Sequence, residues 1–156
     1  MMAEAAARLG VKLTALDPLG LASPMGAVCG STVTGAFTDA AKIKELSKQV
    51  EVITVEIEHV DATGLAAIEK EGAVVHPSPA TIMLIQDKLL QKQHLSKVAG
   101  VTLGEYCDVP NVVALSAAGA KWGYPLMLKT RRNAYDGRGN LPVKDASECA
   151  SAFASL

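Results

Sequence analysis

Lys129, Arg131, Arg132 and Arg138 fall in one short stretch that also holds Ala134, Tyr135, Asp136, Gly137, Gly139 and Asn140. Cations crowded beside the exposed backbone N–H groups of a glycine-containing loop suit an anionic ligand, above all a polyphosphate. The competing reading is a solvated hairpin tip. Asp136-Gly137 is a strong turn signal, because glycine reaches positive φ without steric cost. A hairpin needs such a turn, but it does not need this clustering of positive charge. Lys129 directly follows the apolar run 125–128, and a lysine on a buried strand calls for an anionic partner. Gly137-Arg138-Gly139 precedes a strand rather than a helix, so the dinucleotide-binding fingerprint fails. No Gly-x-x-x-x-Gly-Lys-Ser/Thr loop occurs either.

A second candidate is Thr54-Val55-Glu56-Ile57-Glu58-His59, at the carboxyl end of an expected strand. Ligands of open α/β sheets bind in the crevice beyond such ends. Side chains two apart on a strand share a face, so Glu56 and Glu58 could point together around a shared cation. Local capping by Glu58, with His59 starting a turn, is the plainer alternative. His76-Pro77-Ser78-Pro79 reads as a stiff turn that starts a helix. Lys88, Lys92 and Lys97 read as a solvated helix face, although Lys88 could still reach a phosphate.

Alternating helices and strands are needed to hold these groups. Residues 3–9 are expected to form a helix closed by Gly10, and 11–16 a strand ending at Asp17-Pro18. Residues 19–26 are expected as a loop and 27–34 as a weak strand of small residues. A helix follows from the cap Thr38-Asp39, then a strand over 51–56, a helix from Asp61 to Gly72 and a short strand over 73–75. That order implies a parallel, Rossmann-like unit, expected over 1–99. The first helix should be preceded by a strand, so the natural N-terminus is expected to be truncated. Helical segments at 81–98 lead to Gly100. Beyond it an extended segment, a helix over 112–122, the hairpin of 126–143 and a capped helix from 145 compose the start of an α+β unit over 100–156.

The chain has 156 residues, with 15 Lys+Arg against 16 Asp+Glu, so there is no global attraction to nucleic acid or membrane and anion binding must be local. Cys29, Cys107 and Cys149 lack the spacing of a zinc site or a disulfide framework, which points to reduced thiols in an intracellular protein. No apolar run approaches the ~18 residues that cross a bilayer. The first residues have neither a secretory nor a transit-peptide character.

Thr54-Val55-Glu56-Ile57-Glu58-His59-Val60, Val75-His76-Pro77-Ser78-Pro79, Ile85-Gln86-Asp87-Lys88 with Gln91-Lys92, and Tyr135-Asp136-Gly137-Arg138-Gly139-Asn140 occur in that order. Together they resemble the ATP-grasp carboxyaminoimidazole ribonucleotide synthetases of purine biosynthesis. The wording is most similar to the fungal and plant form, fused to a carboxylase (mutase) domain as phosphoribosylaminoimidazole carboxylase. The likeness runs from residue 9 to about 148. It implies a pre-ATP-grasp Rossmann-like domain followed by the start of an ATP-grasp domain. In that family ATP phosphorylates bicarbonate, and the carbon dioxide released from carboxyphosphate is captured by the amine of aminoimidazole ribonucleotide.

Carried over residue by residue, the resemblance has Lys88 and Lys129 contacting ATP. Ala134, Tyr135, Asp136, Gly137, Arg138, Gly139 and Asn140 would cover the phosphates and keep water from the carboxyphosphate. Tyr135 and Arg138 would face bicarbonate and ribonucleotide as the catalytic pair, and Glu56 would hold the ribonucleotide as a buried carboxylate. Magnesium would be held by ligands outside this chain. The parent enzyme would be a homodimer or larger, in cytoplasm or plastid stroma, without nucleic-acid or membrane partners.

The family's opening Gly-Gly-Gly-Gln-Leu-Gly loop and its C-terminal half do not occur here, so the chain alone is expected to be inactive. Pro142, where the family prefers a residue with a free N–H, is expected to weaken its strand. Two rival readings are a non-catalytic nucleotide-binding module of the same fold and a nicotinamide-dependent Rossmann oxidoreductase. The second has only the alternating β/α order in its favour.

Overall fold

Four of the eight described α-helices begin at an aspartate or asparagine cap. Asp39, Asp61, Asp87 and Asn111 each accept backbone N–H bonds from the first turn of the helix that follows. Each such cap satisfies donors the helix cannot satisfy itself, worth about 1 kcal/mol. A computed structural model describes residues 2–134 and 138–156, and the chain divides into two compact units, 1–85 and 86–156.

In the first unit, α1 (Met2–Arg8) closes at Gly10 with φ +68° and leads to β1 (Ala15–Asp17). β1 pairs in parallel with β2 (Thr32–Thr34), Ala15 opposite Thr32. A parallel pair needs a crossover, and the expected loop over 19–26 with the first part of the expected strand, 27–29, forms it, while 32–34 of that expected strand is β2 itself. It consists of a 3-10 turn (Gly20–Ala22) and α2 (Pro24–Cys29). Ser23 caps α2, accepting from Gly26 N at 2.9 Å and donating to Gly20 O at 2.7 Å. A Cβ at Gly26 would stand 2.9 Å from Leu21 Cα, so glycine is what lets the turn close onto the helix. A serine-proline start and a glycine core made a helix that resembles a loop in composition.

α3 (Ala40–Ser47), β3 (Val52–Ile53), α4 (Ala62–Lys70), β4 (Val74–Val75) and α5 (Pro79–Gln86) complete this unit. β3 and β4 form a second parallel pair, so the described strands of this unit make two pairs. Ile43, Ile53, Leu65, Ile68, Val75 and Ile82 are buried together. Each such side chain contributes about 1.5–3 kcal/mol.

The second unit holds α6 (Lys88–Leu95), α7 (Val112–Trp122), the antiparallel pair β5 (Leu126–Lys129) and β6 (Asn140–Val143), and α8 (Cys149–Ala154). Asp145 caps the 3-10 turn that enters α8. Leu115, Leu128, Val143, Cys149 and Ala152 form its core. The hairpin buries one face only. Leu128 and Val143 point inward, and Met127, Lys129, Asn140 and Pro142 are exposed.

Pro142 does not disturb the ladder. Thr130 N donates to Gly139 O at 2.7 Å, and alternation from that pair puts Leu128/Leu141 and Leu126/Val143 in the bonded positions. Met127/Pro142 falls between them, where the imino nitrogen faces away from β5 and no bond within the hairpin is lost.

Candidate functional site

Each unit carries part of the candidate chemistry. In the first, the strand expected to reach Glu56 stops at Ile53, because only Val52 and Ile53 find partners in Val74 and Val75. Glu56 and Glu58 lie in a bend instead, so strand alternation does not set their directions. Glu56 is exposed rather than the buried carboxylate expected, and it therefore carries no desolvation penalty. Glu58 Oε1 lies 3.9 Å from His59 Nε2.

In the second unit the apolar strand delivers Lys129 to the open face of the hairpin. The premise of a buried lysine fails: burial alternates along β5, and Lys129 falls on the solvent side. Among the described residues it forms no ion pair. An exposed ammonium held on a strand costs little to place and is open to an anion. Gly139, at φ +69°, closes the neck of the loop that follows, its carbonyl accepting from Thr130 N. A Cβ there would meet Thr130 Oγ1 and stand 2.9 Å from Ala134 Cβ. Ala134 is half-buried, whereas Arg138 and Asn140 are exposed. Tyr135, Asp136 and Gly137 lie outside the described residues.

Arg131 and Arg132, part of the cationic crowd in the sequence, are already engaged. Arg131 Nε donates to Asp87 Oδ1 at 2.7 Å and Oδ2 at 2.8 Å, and Arg132 Nε donates to Oδ2 at 3.0 Å. The same carboxylate caps α6, accepting from Leu89 N and Leu90 N at 3.1 Å each. The Arg131 hydrogen bond above all holds the Asp87 carboxyl far below the usual carboxylate range, against the opposing effect of burial. In turn Asp87 raises the Arg131 guanidinium. Lys88, the first residue of α6, donates its backbone N–H to Arg131 O at 3.0 Å.

The backbone of Lys88 is thereby fixed to the root of the loop that follows Lys129. Lys92, in the same helix, is half-buried and sits over the Tyr106 ring at 5.7 Å to its centroid, while Gln93 and Lys97 beside it are exposed. Asp87 was the residue that spacing arguments passed over. Its signal was the aspartate directly before a helical Lys-Leu-Leu-Gln, the pattern of an N-cap.

No group of three His, Cys, Asp or Glu side chains among the described residues is arranged to hold a metal ion. Lys88 and Lys129 offer the point charges a polyphosphate needs, whereas a divalent metal finds no donor set among the described residues.

Residues 1–86 match the family described as the ribonucleotide synthetase preATP-grasp domain, and 93–156 match the ATP-grasp domain. A phosphoribosylaminoimidazole carboxylase of Schizosaccharomyces pombe is 46% identical over 158 residues, covering 100% of this chain and 28% of the yeast protein. A crystal structure of an Aspergillus clavatus carboxyaminoimidazole ribonucleotide synthase complexed with ATP superposes with a TM-score of 0.90 at 36% identity. It covers 100% of this chain and 41% of that one. The Aspergillus clavatus synthase in complex with ADP and 5-aminoimidazole ribonucleotide gives a TM-score of 0.89 at 33% identity, covering 100% of this chain and 40% of that one. The chain thus spans about 28% of the curated fungal relative it matches.

Proposed function

Because this chain belongs to the ribonucleotide synthetase preATP-grasp family and continues into an ATP-grasp domain, we propose that it supplies part of the site for an ATP- and bicarbonate-dependent carboxylation of aminoimidazole ribonucleotide in purine biosynthesis. ATP supplies the phosphoryl group that activates bicarbonate. The observation that carries the reading is Lys129, exposed at the end of β5, with the backbone of Lys88 bonded to Arg131 two residues further on. Such cations offset phosphate charge as it moves in the transition state. A relative in the same family is solved with both ADP and 5-aminoimidazole ribonucleotide, which supports the choice of substrates.

In this reading Lys88 and Lys129 bind the nucleotide. Ala134, Tyr135, Asp136, Gly137, Arg138, Gly139 and Asn140 cover it and exclude water from the activated bicarbonate. Tyr135 and Arg138 face the reacting groups, and Glu56 receives the ribonucleotide. An exposed carboxylate suits a ligand that arrives from solvent. Magnesium takes its ligands from outside this chain, and the parent enzyme assembles as a homodimer or larger, in cytoplasm or plastid stroma.

Phosphate release tests the proposal. The full-length protein is expected to release phosphate from ATP only with bicarbonate and aminoimidazole ribonucleotide both present, while the 156-residue chain alone is expected to release none. Release by the full-length protein that ignores the ribonucleotide would overturn the substrate assignment.

A further inference from the structure

Asp87 does more than its local role requires. An N-cap aspartate needs only the N–H groups of its own helix and is ordinarily a surface residue. Here the side chain has no exposure at all, yet its two oxygens accept from Leu89 N, Leu90 N, Arg131 and Arg132. Full burial of a carboxylate is costly unless paired and bonded, and here both conditions are met by a strand end 44 residues further along. The backbone bond from Lys88 to Arg131 seals the same junction. Neither guanidinium is buried, at 45% and 59% side-chain exposure, so the carboxylate rather than the arginines is the enclosed centre of the clamp.

We propose that Asp87 is a positioning residue for nucleotide binding: by holding Arg131 and Arg132 it fixes the start of α6 to the root of the glycine loop, so that Lys88 and Lys129 address one polyphosphate. It also withdraws the charge of Arg131 and Arg132 from the ligand, which leaves the lysines to set the phosphate position. The carboxylate touches no substrate. This assignment rests on the ATP reading given above.

The test is ATP affinity by calorimetry, with kcat and KM for ATP, on the full-length protein. Asp87→Asn keeps a good capping side chain and removes the charge. It is expected to weaken ATP binding about tenfold, the scale seen when a supporting residue behind a ligand-contacting group is lost. The change in kcat is expected to stay below about threefold, since the interaction is formed before the chemical step. Arg131→Gln should reproduce the effect, and it serves alone if Asp87→Asn does not fold.

A purely structural clamp is told apart by its coupling. In a Lys88→Ala background, Asp87→Asn should add less than about twofold, because the lysine it positions is already gone. Full multiplication of the two losses overturns the proposal, as does ATP affinity within about twofold of wild type in both single variants. A wild-type protein that binds no ATP overturns the functional reading along with it. ATP binding by wild type with either of the other two results overturns the role of Asp87 alone.

Discussion

Arg131 Nε sits 2.7 Å from Asp87 Oδ1 and 2.8 Å from Oδ2, one donor shared by both oxygens of a fully buried carboxylate. The pair sets an acid limit on stability. The folded carboxyl titrates well below the ordinary aspartate value of 3.8, so as pH falls the unfolded chain takes up this proton first. The pair's contribution is therefore complete above that value and is lost as pH falls below it. Urea midpoints should decline from about pH 5 to about pH 2, and Asp87→Asn should flatten part of that slope. At neutral pH the substitution should cost about 1–3 kcal/mol, toward the low end because both arginines are partly solvated.

Two substitutions on α7 should separate its faces. Leu115 is 1% exposed in the second core, and Leu115→Ala should cost about 2–5 kcal/mol by denaturant unfolding. Val113, two residues earlier and 78% exposed, should tolerate alanine within about 0.5 kcal/mol.

Lys129→Ala should divide stability from binding. The side chain is exposed and forms no ion pair among the described residues, so unfolding should shift by less than about 0.5 kcal/mol. ATP affinity by calorimetry should fall about tenfold or more, the loss of one charge-assisted phosphate contact.

Gly139→Ala places a Cβ at φ +69° against Thr130 Oγ1. The strain should cost about 1–2 kcal/mol. Because Gly139 also closes the loop neck, KM for ATP should rise in the same variant. Parallel thermal unfolding and steady-state kinetics check both.

Capping residues made much of this fold legible in the sequence. Asp39 and Asp61 announce their helices by side-chain chemistry that acts within three residues, and the segment 112–122 begins and ends where expected. What escaped depended on partners far along the chain. The helix α2 hides among glycine, proline and serine because its stability comes from the Ser23 cap and close approach at Gly26. The strand before Glu56 is short because only Val74 and Val75 are available to pair with it. At the candidate site, Lys129 was legible as a residue but not in its exposure, which depends on the phase of burial along β5. The engagement of Arg131 and Arg132 follows from a contact across 44 and 45 residues that no local pattern encodes.

The phase of the hairpin ladder also decides which way this small sheet can grow. Residues between the bonded pairs turn their backbone groups outward: Met127 and Lys129 on one margin, Asn140 and Pro142 on the other. Along the β5 margin both residues present an N–H and a carbonyl, a complete template for another strand. Along the β6 margin Pro142 offers a carbonyl but no donor, so that side resists edge-to-edge addition. One proline thus gives the hairpin a polarity, with an open margin beside Lys129 and a guarded one opposite.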